Sequence, residues 1–99
     1  MANSFLYRRT EIDLKPFLED LEKSFKFKLI FNSGCEKASD YKESCFRDFE
    51  ETCVAIKTIW ELHLISENEY QALRGYFYRM LNEQMIDTLR TKAANKRED

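Results

Sequence analysis

The sequence predicts an all-α protein built from three helices, and three observations support this fold class. Only two glycines and one proline occur in 99 residues, so the turn residues that a β-sandwich or barrel needs at its many corners are scarce. Apolar residues recur at helical spacing along three stretches of the chain. The length fits one domain, because two smaller cores would bury too little surface to fold alone. We expect a single helical domain over residues 1–99, with flexible or extended ends at 1–12 and 92–99.

The first helix is expected over residues 14–25. The apolar residues that share one stripe of this helix are Leu14, Phe17, Leu18, Leu21 and Phe25. Asp13 is placed to cap the N-terminus, and Pro16 then falls in the first turn, where the backbone amides have no acceptor within the helix. A start at Thr10 would put the proline in the helix interior, so the helix is expected to begin after Asp13.

The pattern changes in residues 26–31, where lysine and apolar residues alternate with a period of two. One interpretation is a short extended segment with Phe27, Leu29 and Phe31 on its core side, which would need a pairing partner such as residues 4–7. The other interpretation is the end of a buried helix. Lysines between aromatic residues also resemble a strand that stacks on single-stranded nucleic acid, but the same alternation is typical of aromatics in a core.

The second helix is expected over residues 40–63, after a break at Asn32-Ser33-Gly34 and a start at Ser39 or Asp40. Its predicted apolar stripe consists of Tyr41, Cys45, Phe46, Phe49, Cys53, Ile56, Ile59, Trp60 and Leu64. Charged residues occupy most of the opposite side, which is typical of a helix half exposed to water.

The third helix is expected over residues 67–91. Ser66 and Glu69 have the spacing of a capping box, in which each side chain accepts a hydrogen bond from the other residue's backbone amide. The predicted apolar face consists of Tyr70, Leu73, Phe77, Met80, Leu81, Gln84 and Met85. Because the turn between the second and third helices is very short, the two helices are expected to form a long antiparallel hairpin.

This hairpin resembles the helix–Leu-Ile-Ser–helix hairpin of the short C-terminal oligomerisation modules that are appended to many bacterial proteins. The residues that carry the resemblance are Leu62, Leu64, Ile65, Ser66, Glu69 and Tyr70. His63 stands where those modules usually have a turn glycine. The resemblance covers the hairpin alone and implies an antiparallel helix pair.

Charge and cysteine content indicate the class of protein. The formal net charge is −2 and no stretch is strongly basic, so nucleic acid is not an expected partner. No apolar run approaches the ~18 residues of a membrane span, and the N-terminus has no apolar leader segment. Three cysteines leave one without a partner, which favours reduced thiols and a cytoplasmic location.

No pattern in the sequence predicts a catalytic site, a metal site or a cofactor. The three cysteines and His63 lack the paired short spacings of a zinc site. His63 is interpreted as a partly buried histidine at the end of the second helix, close to its last carbonyl groups. Cys35 is expected in a loop, where the neighbouring Glu36 disfavours the thiolate. An enzyme that uses His63 and Cys35 is the least favoured hypothesis.

The favoured hypothesis is a non-catalytic protein-interaction module: a small regulator, adaptor or inhibitor that binds another protein. A compact accessory protein encoded by a phage or other mobile element would fit the size of the chain and its lack of motifs. The alternative is a dimeric nucleic-acid-binding regulator that uses Arg8, Arg9 and basic residues near the C-terminus.

Two groups of residues are the predicted binding surfaces for the partner protein. Arg74, Tyr76 and Tyr78 surround Gly75 on the third helix, and arginine and tyrosine are common at interface hot spots. The second group is Glu43, Arg47 and Glu50 on the charged side of the second helix. Gly75 could let another helix approach closely. Homodimerisation is also expected, because three helices bury little surface and the aromatic content is high.

Overall fold

The computed structural model describes residues 13–98, with side chains for residues 13–94, and this part of the chain forms three α-helices and no strand. Helix α1 spans Lys15–Asn32, α2 spans Ala38–Glu61 and α3 spans Glu67–Glu98. Short connections make α2 run antiparallel to both α1 and α3. The prediction of an all-α three-helix fold with a long α2–α3 hairpin is therefore confirmed.

The core lies along the line where the three helices meet. Phe25 of α1 is 1% exposed, and its ring centroid lies 5.7 Å from that of Phe77 in α3 and 6.4 Å from that of Phe49 in α2. The other fully buried side chains are Leu29, Tyr41, Cys45, Ile56 and Leu81. Each large apolar side chain buried in this way stabilises the fold by about 1.5–3 kcal/mol.

Residues 26–31 are helical, so the extended segment considered there is wrong. Phe25 and Leu29 lie one turn apart on the core side of α1, whereas Phe27 and Phe31 lie one turn apart on the exposed side. A strand would have placed Phe27, Leu29 and Phe31 on one side together. Burial of Leu29 together with exposure of Phe27 and Phe31 is compatible only with the helical period. Residues 4–7, the suggested strand partner, lie outside the described residues.

The N-termini of α1 and α2 are formed differently. Leu14, and not the expected Asp13, is the N-cap residue of α1, although the backbone amide of Lys15 donates to Asp13 Oδ1 at 3.0 Å. Pro16 lies in the first turn, as predicted. Helix α2 begins at Ala38, without a side-chain cap, and not at Ser39 or Asp40. Asp40 falls in the first turn, where a negative charge interacts favourably with the helix dipole.

Polar contacts join the helices at the end where α1 stops. The buried Asn32 donates through Nδ2 to Asp48 Oδ2 of α2 at 2.7 Å. Lys92 of α3 donates through Nζ to the carbonyl oxygen of Cys35, and its Nζ lies 6.0 Å from the centroid of the Tyr41 ring. Helix α3 is thus anchored at residue 92 and continues through Glu98, beyond the expected end at residue 91.

The turn between α2 and α3 is a Schellman motif followed by a capping box. Leu64 donates its amide to the carbonyl of Ile59, and His63 donates its amide to the carbonyl of Trp60, both at 2.9 Å. The amide of Ser66 donates to Glu69 Oε1 at 2.7 Å, and the amide of Glu69 donates to Ser66 Oγ at 3.1 Å, which confirms the predicted capping box.

His63 occupies the left-handed position of this turn, with φ 63°. The side chain is exposed, so the expectation of a partly buried histidine in the apolar stripe of α2 is wrong. The reason is that α2 ends at Glu61, and the left-handed residue carries the chain away from that stripe before α3 begins.

Candidate protein-interaction surface

A shallow groove of about 360 Å³ lies between α2 and α3 and is lined by these two helices only. We call it the α2/α3 groove. Its lining residues are Phe49, Gln71, Arg74, Gly75 and Tyr78. Two of the residues predicted from the sequence to bind a partner, Arg74 and Tyr78, are among them.

The centre of the groove is an aromatic pair that is continuous with the core. The ring of Tyr78 lies 5.7 Å from that of Phe49, with the ring planes 60° apart. Phe49 in turn contacts the fully buried Phe25. Tyr78, at the outer end of this row of three rings, is 47% exposed to solvent. Phe25, at the inner end, is fixed in the core.

Arg74 is held at the groove by a second aromatic stack. Its guanidinium carbon lies 5.8 Å from the centroid of the Tyr70 ring, a cation–π distance. Tyr70 is stacked on Trp60 with ring centroids 4.5 Å apart and planes 10° apart. Since Trp60 belongs to α2 and Tyr70 to α3, packing of the hairpin itself positions the arginine.

Gly75 leaves an open surface between these two aromatic groups. A Cβ atom added at Gly75 would meet no heavy atom within 4 Å, and the residue is exposed. No other helix of the described chain therefore packs in contact with Gly75, although Phe49 of α2 lines the same groove. The glycine exposes helix backbone where a neighbour could come close.

Tyr76 does not share a surface with Tyr78. Residues two apart on a helix point to different sides, and Tyr76 lines a separate groove between α1 and α3 together with Leu18 and Leu73. A hydrogen bond with the carboxylate of Glu22 raises the pKa of Tyr76 above its ordinary value. The face that the sequence suggested around Gly75 is therefore divided between two grooves.

Glu43, Arg47 and Glu50 are all exposed on α2. Glu43 and Glu50 lie two turns apart on one side of the helix, and Glu50 directly follows the groove residue Phe49. Arg47 lies between them on the same side and donates through Nη2 to Ser44 Oγ on its own helix at 3.2 Å. Glu43, Arg47 and Glu50 thus share one exposed side of α2, and none of the three is among the residues that line the α2/α3 groove.

Sequence reasoning missed two exposed apolar features. One is that Phe17 and Phe46, expected in the apolar stripes of α1 and α2, are 40% and 42% exposed. The second feature is a cluster on the outer side of α1, which we call the α1 apolar face; it consists of Phe27, Ile30 and Phe31. A signal for this cluster was present, because a helix through residues 26–31 must carry apolar residues on nearly all sides.

The three cysteines differ in their exposure to solvent. Burial raises the pKa of the Cys45 thiol, while Cys35 and Cys53 are partly exposed. Among residues 13–94, whose side chains the structure describes, no three His, Cys, Asp or Glu side chains are arranged so that they could hold a metal ion. None of the three described helices combines the length and apolar character needed to cross a bilayer.

The chain was compared with protein-family models, with curated proteins and with solved structures, and it matches none of them. The resemblance of the hairpin to short bacterial oligomerisation modules therefore rests on its own turn residues alone. In the structure, the residue that replaces their glycine, His63, does adopt the left-handed conformation that favours glycine.

Proposed function

We propose that this protein is a non-catalytic interaction module, a regulator, adaptor or inhibitor that binds another protein at the α2/α3 groove. The observation that carries the proposal is the half-exposed Tyr78, fixed on Phe49 and next to both Arg74 and the open surface at Gly75. We also propose a cytoplasmic location, since the cysteines at 35, 45 and 53 are free thiols.

The groove has the composition and rigidity of a binding hot spot. Tyrosine and arginine are the side chains that most often dominate interface energetics, together with tryptophan. Here both are held by ring contacts before any partner binds, so little side-chain freedom would be lost on association. Arg74 provides a positive charge in the groove lining, which can fix the orientation of a partner with an acidic group.

Site-specific photo-crosslinking in source cells tests this proposal. A benzophenone amino acid would replace Tyr78 in one variant and Val54 in the control, because Val54 is an exposed apolar residue of α2 outside the groove lining. We expect a covalent adduct with one other protein at position 78 and none at position 54. Adding Arg74→Ala should reduce the adduct at position 78 at least about tenfold.

Two results would contradict the proposal. Equal labelling at positions 78 and 54 would mean that the groove has no preferred partner. An adduct with nucleic acid at position 78 would support the alternative, a dimeric nucleic-acid-binding regulator. The basic residues Arg8 and Arg9 of that alternative lie outside the described residues.

A further inference from the structure

The α1 apolar face exposes three large side chains side by side. Phe27, Ile30 and Phe31 are 69%, 63% and 74% exposed, and the two phenylalanine rings stack on each other at 6.4 Å. A phenylalanine buries about 150–250 Å² when it is covered, so the face offers on the order of 350 Å² of apolar surface. This area is comparable to the largest apolar patch on a typical monomer, and such a patch is often functional.

The charges around this face do not select a partner of one sign. Lys26 pairs with Glu22 at 2.9 Å, and Lys28 lies 3.8 Å from Glu51 of α2. Both lysines therefore have a carboxylate within the chain, which leaves little positive charge for a phosphate backbone or an acidic segment. The surface that would suit this face has mixed charges around an apolar centre.

The face has that pattern itself, with one residue of each sign at either end. Asp20 and Lys23 are exposed on α1 before the face, and Glu36 and Lys37 are exposed in the loop after it. When the direction of one copy is reversed, Lys23 of one chain faces Glu36 of the other, and Asp20 faces Lys37. The face is thus complementary to itself in an antiparallel arrangement.

We propose that the α1 apolar face binds a second copy of this chain, with the two α1 helices antiparallel and centred near Leu29. In this arrangement Phe27 packs against the partner's Phe31 on both sides of the twofold axis, since both lie two residues from the centre. The four rings then form one cluster at contact distance. Lys23, about 9 Å from the centre, passes beyond the end of the partner's α1 towards the partner's Glu36.

The two apolar faces would supply about half of the surface that a dimer of ordinary size buries. Two apolar faces bring together on the order of 700 Å² at the centre, and stable interfaces bury about 1,200–2,000 Å² in total. The charged residues at the two ends of each face would supply the polar rim. Because the α2/α3 groove contains no residue of α1, each copy would keep its groove free, so this inference does not depend on the proposed function.

Sedimentation equilibrium of the full chain, from low micromolar to near-millimolar concentration, tests the proposal with variants that keep the fold. The double variant Phe27→Ser/Phe31→Ser removes exposed rings, and Val54→Ser is the matched control on α2. We expect a dimer whose dissociation constant rises at least about a hundredfold in the double variant and stays unchanged in the control. Far-UV circular dichroism of each variant checks that the helices remain.

A charge reversal tests the antiparallel arrangement. Lys23→Glu should weaken the dimer about fivefold, and adding Glu36→Lys in the same chain should restore it, since each partner then regains an opposite charge. A chain that remains monomeric at every concentration would overturn the proposal, as would a dimer that the double serine variant leaves intact. Failure of Glu36→Lys to restore the dimer would overturn the antiparallel arrangement.

Discussion

His63 is the residue at which the local backbone conformation and the side-chain type conflict. The two hydrogen bonds of the Schellman motif require a left-handed residue at this point, and the chain supplies φ 63° with a histidine. A side chain with a Cβ atom is strained in this region by about 1 kcal/mol, whereas glycine is not. The capped hairpin therefore forms in spite of an unfavourable residue at its turn.

We expect His63→Gly to raise the free energy of unfolding by about 0.5–1 kcal/mol, because the strain is removed and the hydrogen bonds are kept. Urea denaturation followed by circular dichroism measures the change. His63→Ala is the control, since it removes the imidazole but keeps the Cβ atom, and it should give no gain. Equal effects of glycine and alanine would show that the imidazole, and not the backbone conformation, determines the result.

Cys45 links stability to pH. Burial raises the pKa of its thiol above the ordinary value of 9.0, so the folded state holds the proton more tightly than the unfolded chain. The stability that this group contributes is complete below its unfolded pKa and is lost as pH rises through its folded pKa. The pKa of Tyr41 is also raised by burial, but from 10.0, so Tyr41 acts at higher pH.

We therefore expect the free energy of unfolding to fall in the alkaline window above about pH 9, as the pH rises from the ordinary pKa of the Cys45 thiol through its raised folded-state pKa. Urea titrations at several pH values in this window measure the fall. Cys45→Ala, although less stable at every pH, should show a clearly smaller fall. The same slope in both proteins would mean that another group is responsible for the pH dependence.

The start of α3 is the element that the sequence specified most completely, because a capping box depends only on residues three apart. Ser66 and Glu69 make both expected hydrogen bonds. We expect Ser66→Ala to lower the free energy of unfolding by about 1 kcal/mol in urea denaturation. Ser39→Ala is the matched control, since α2 starts without a side-chain cap. A loss of similar size at Ser39 would indicate a cap there that the structure does not have.

Helix α3 also contains a glycine that weakens it. Gly75 has an ordinary helical backbone, and an added methyl group would contact nothing within the chain. We expect Gly75→Ala to raise the free energy of unfolding by about 0.5–1 kcal/mol. If the α2/α3 groove binds a partner closely, the same variant should reduce photo-crosslinking at position 78. A stabler protein with unchanged crosslinking would show that the partner does not approach the backbone at Gly75.

The orientation of α1 shows why part of the fold could not be predicted from local pattern. Residues 26–31 alternate lysine and apolar residues, and that alternation is equally consistent with a strand. The choice is made by contacts with α2 and α3, which cover Phe25 and Leu29 but not Phe27 or Phe31. Three helices, the hairpin and the capping box followed from the sequence because each depends on nearby residues.

The residues of the candidate site could likewise be predicted from the sequence only in part. The residue types of Arg74 and Tyr78 predict a binding surface, and both residues line the α2/α3 groove. Tyr76 has the same residue type, but side chains two residues apart on a helix point to different sides, so Tyr76 does not share the groove with Tyr78. Phe49 was assigned to the core, where it does contact Phe25, and its second role at the groove depends on how α2 and α3 are set against each other.

At the scale of the whole molecule, α1 completes a core that the hairpin alone would leave open. Phe25 contacts Phe49 of α2 and Phe77 of α3, and it is the residue at which rings from all three helices meet. At the C-terminal end of α1, Asn32 adds a buried polar contact with Asp48. Because these contacts join all three helices, the bundle should unfold as one cooperative unit.

Two phenylalanines of α1 that are two residues apart test whether this helix buries Phe25 in the core and exposes Phe27. Phe25→Ala should lower the free energy of unfolding by about 3–5 kcal/mol, since it leaves a cavity between three helices. Phe27→Ala removes the same atoms from an exposed position and should change it by less than about 0.5 kcal/mol when measured at a concentration where the chain is monomeric. Urea denaturation followed by circular dichroism and by Trp60 fluorescence measures both. Similar losses in the two variants would contradict the helical orientation of α1, because only a strand or a rotated helix would bury Phe27.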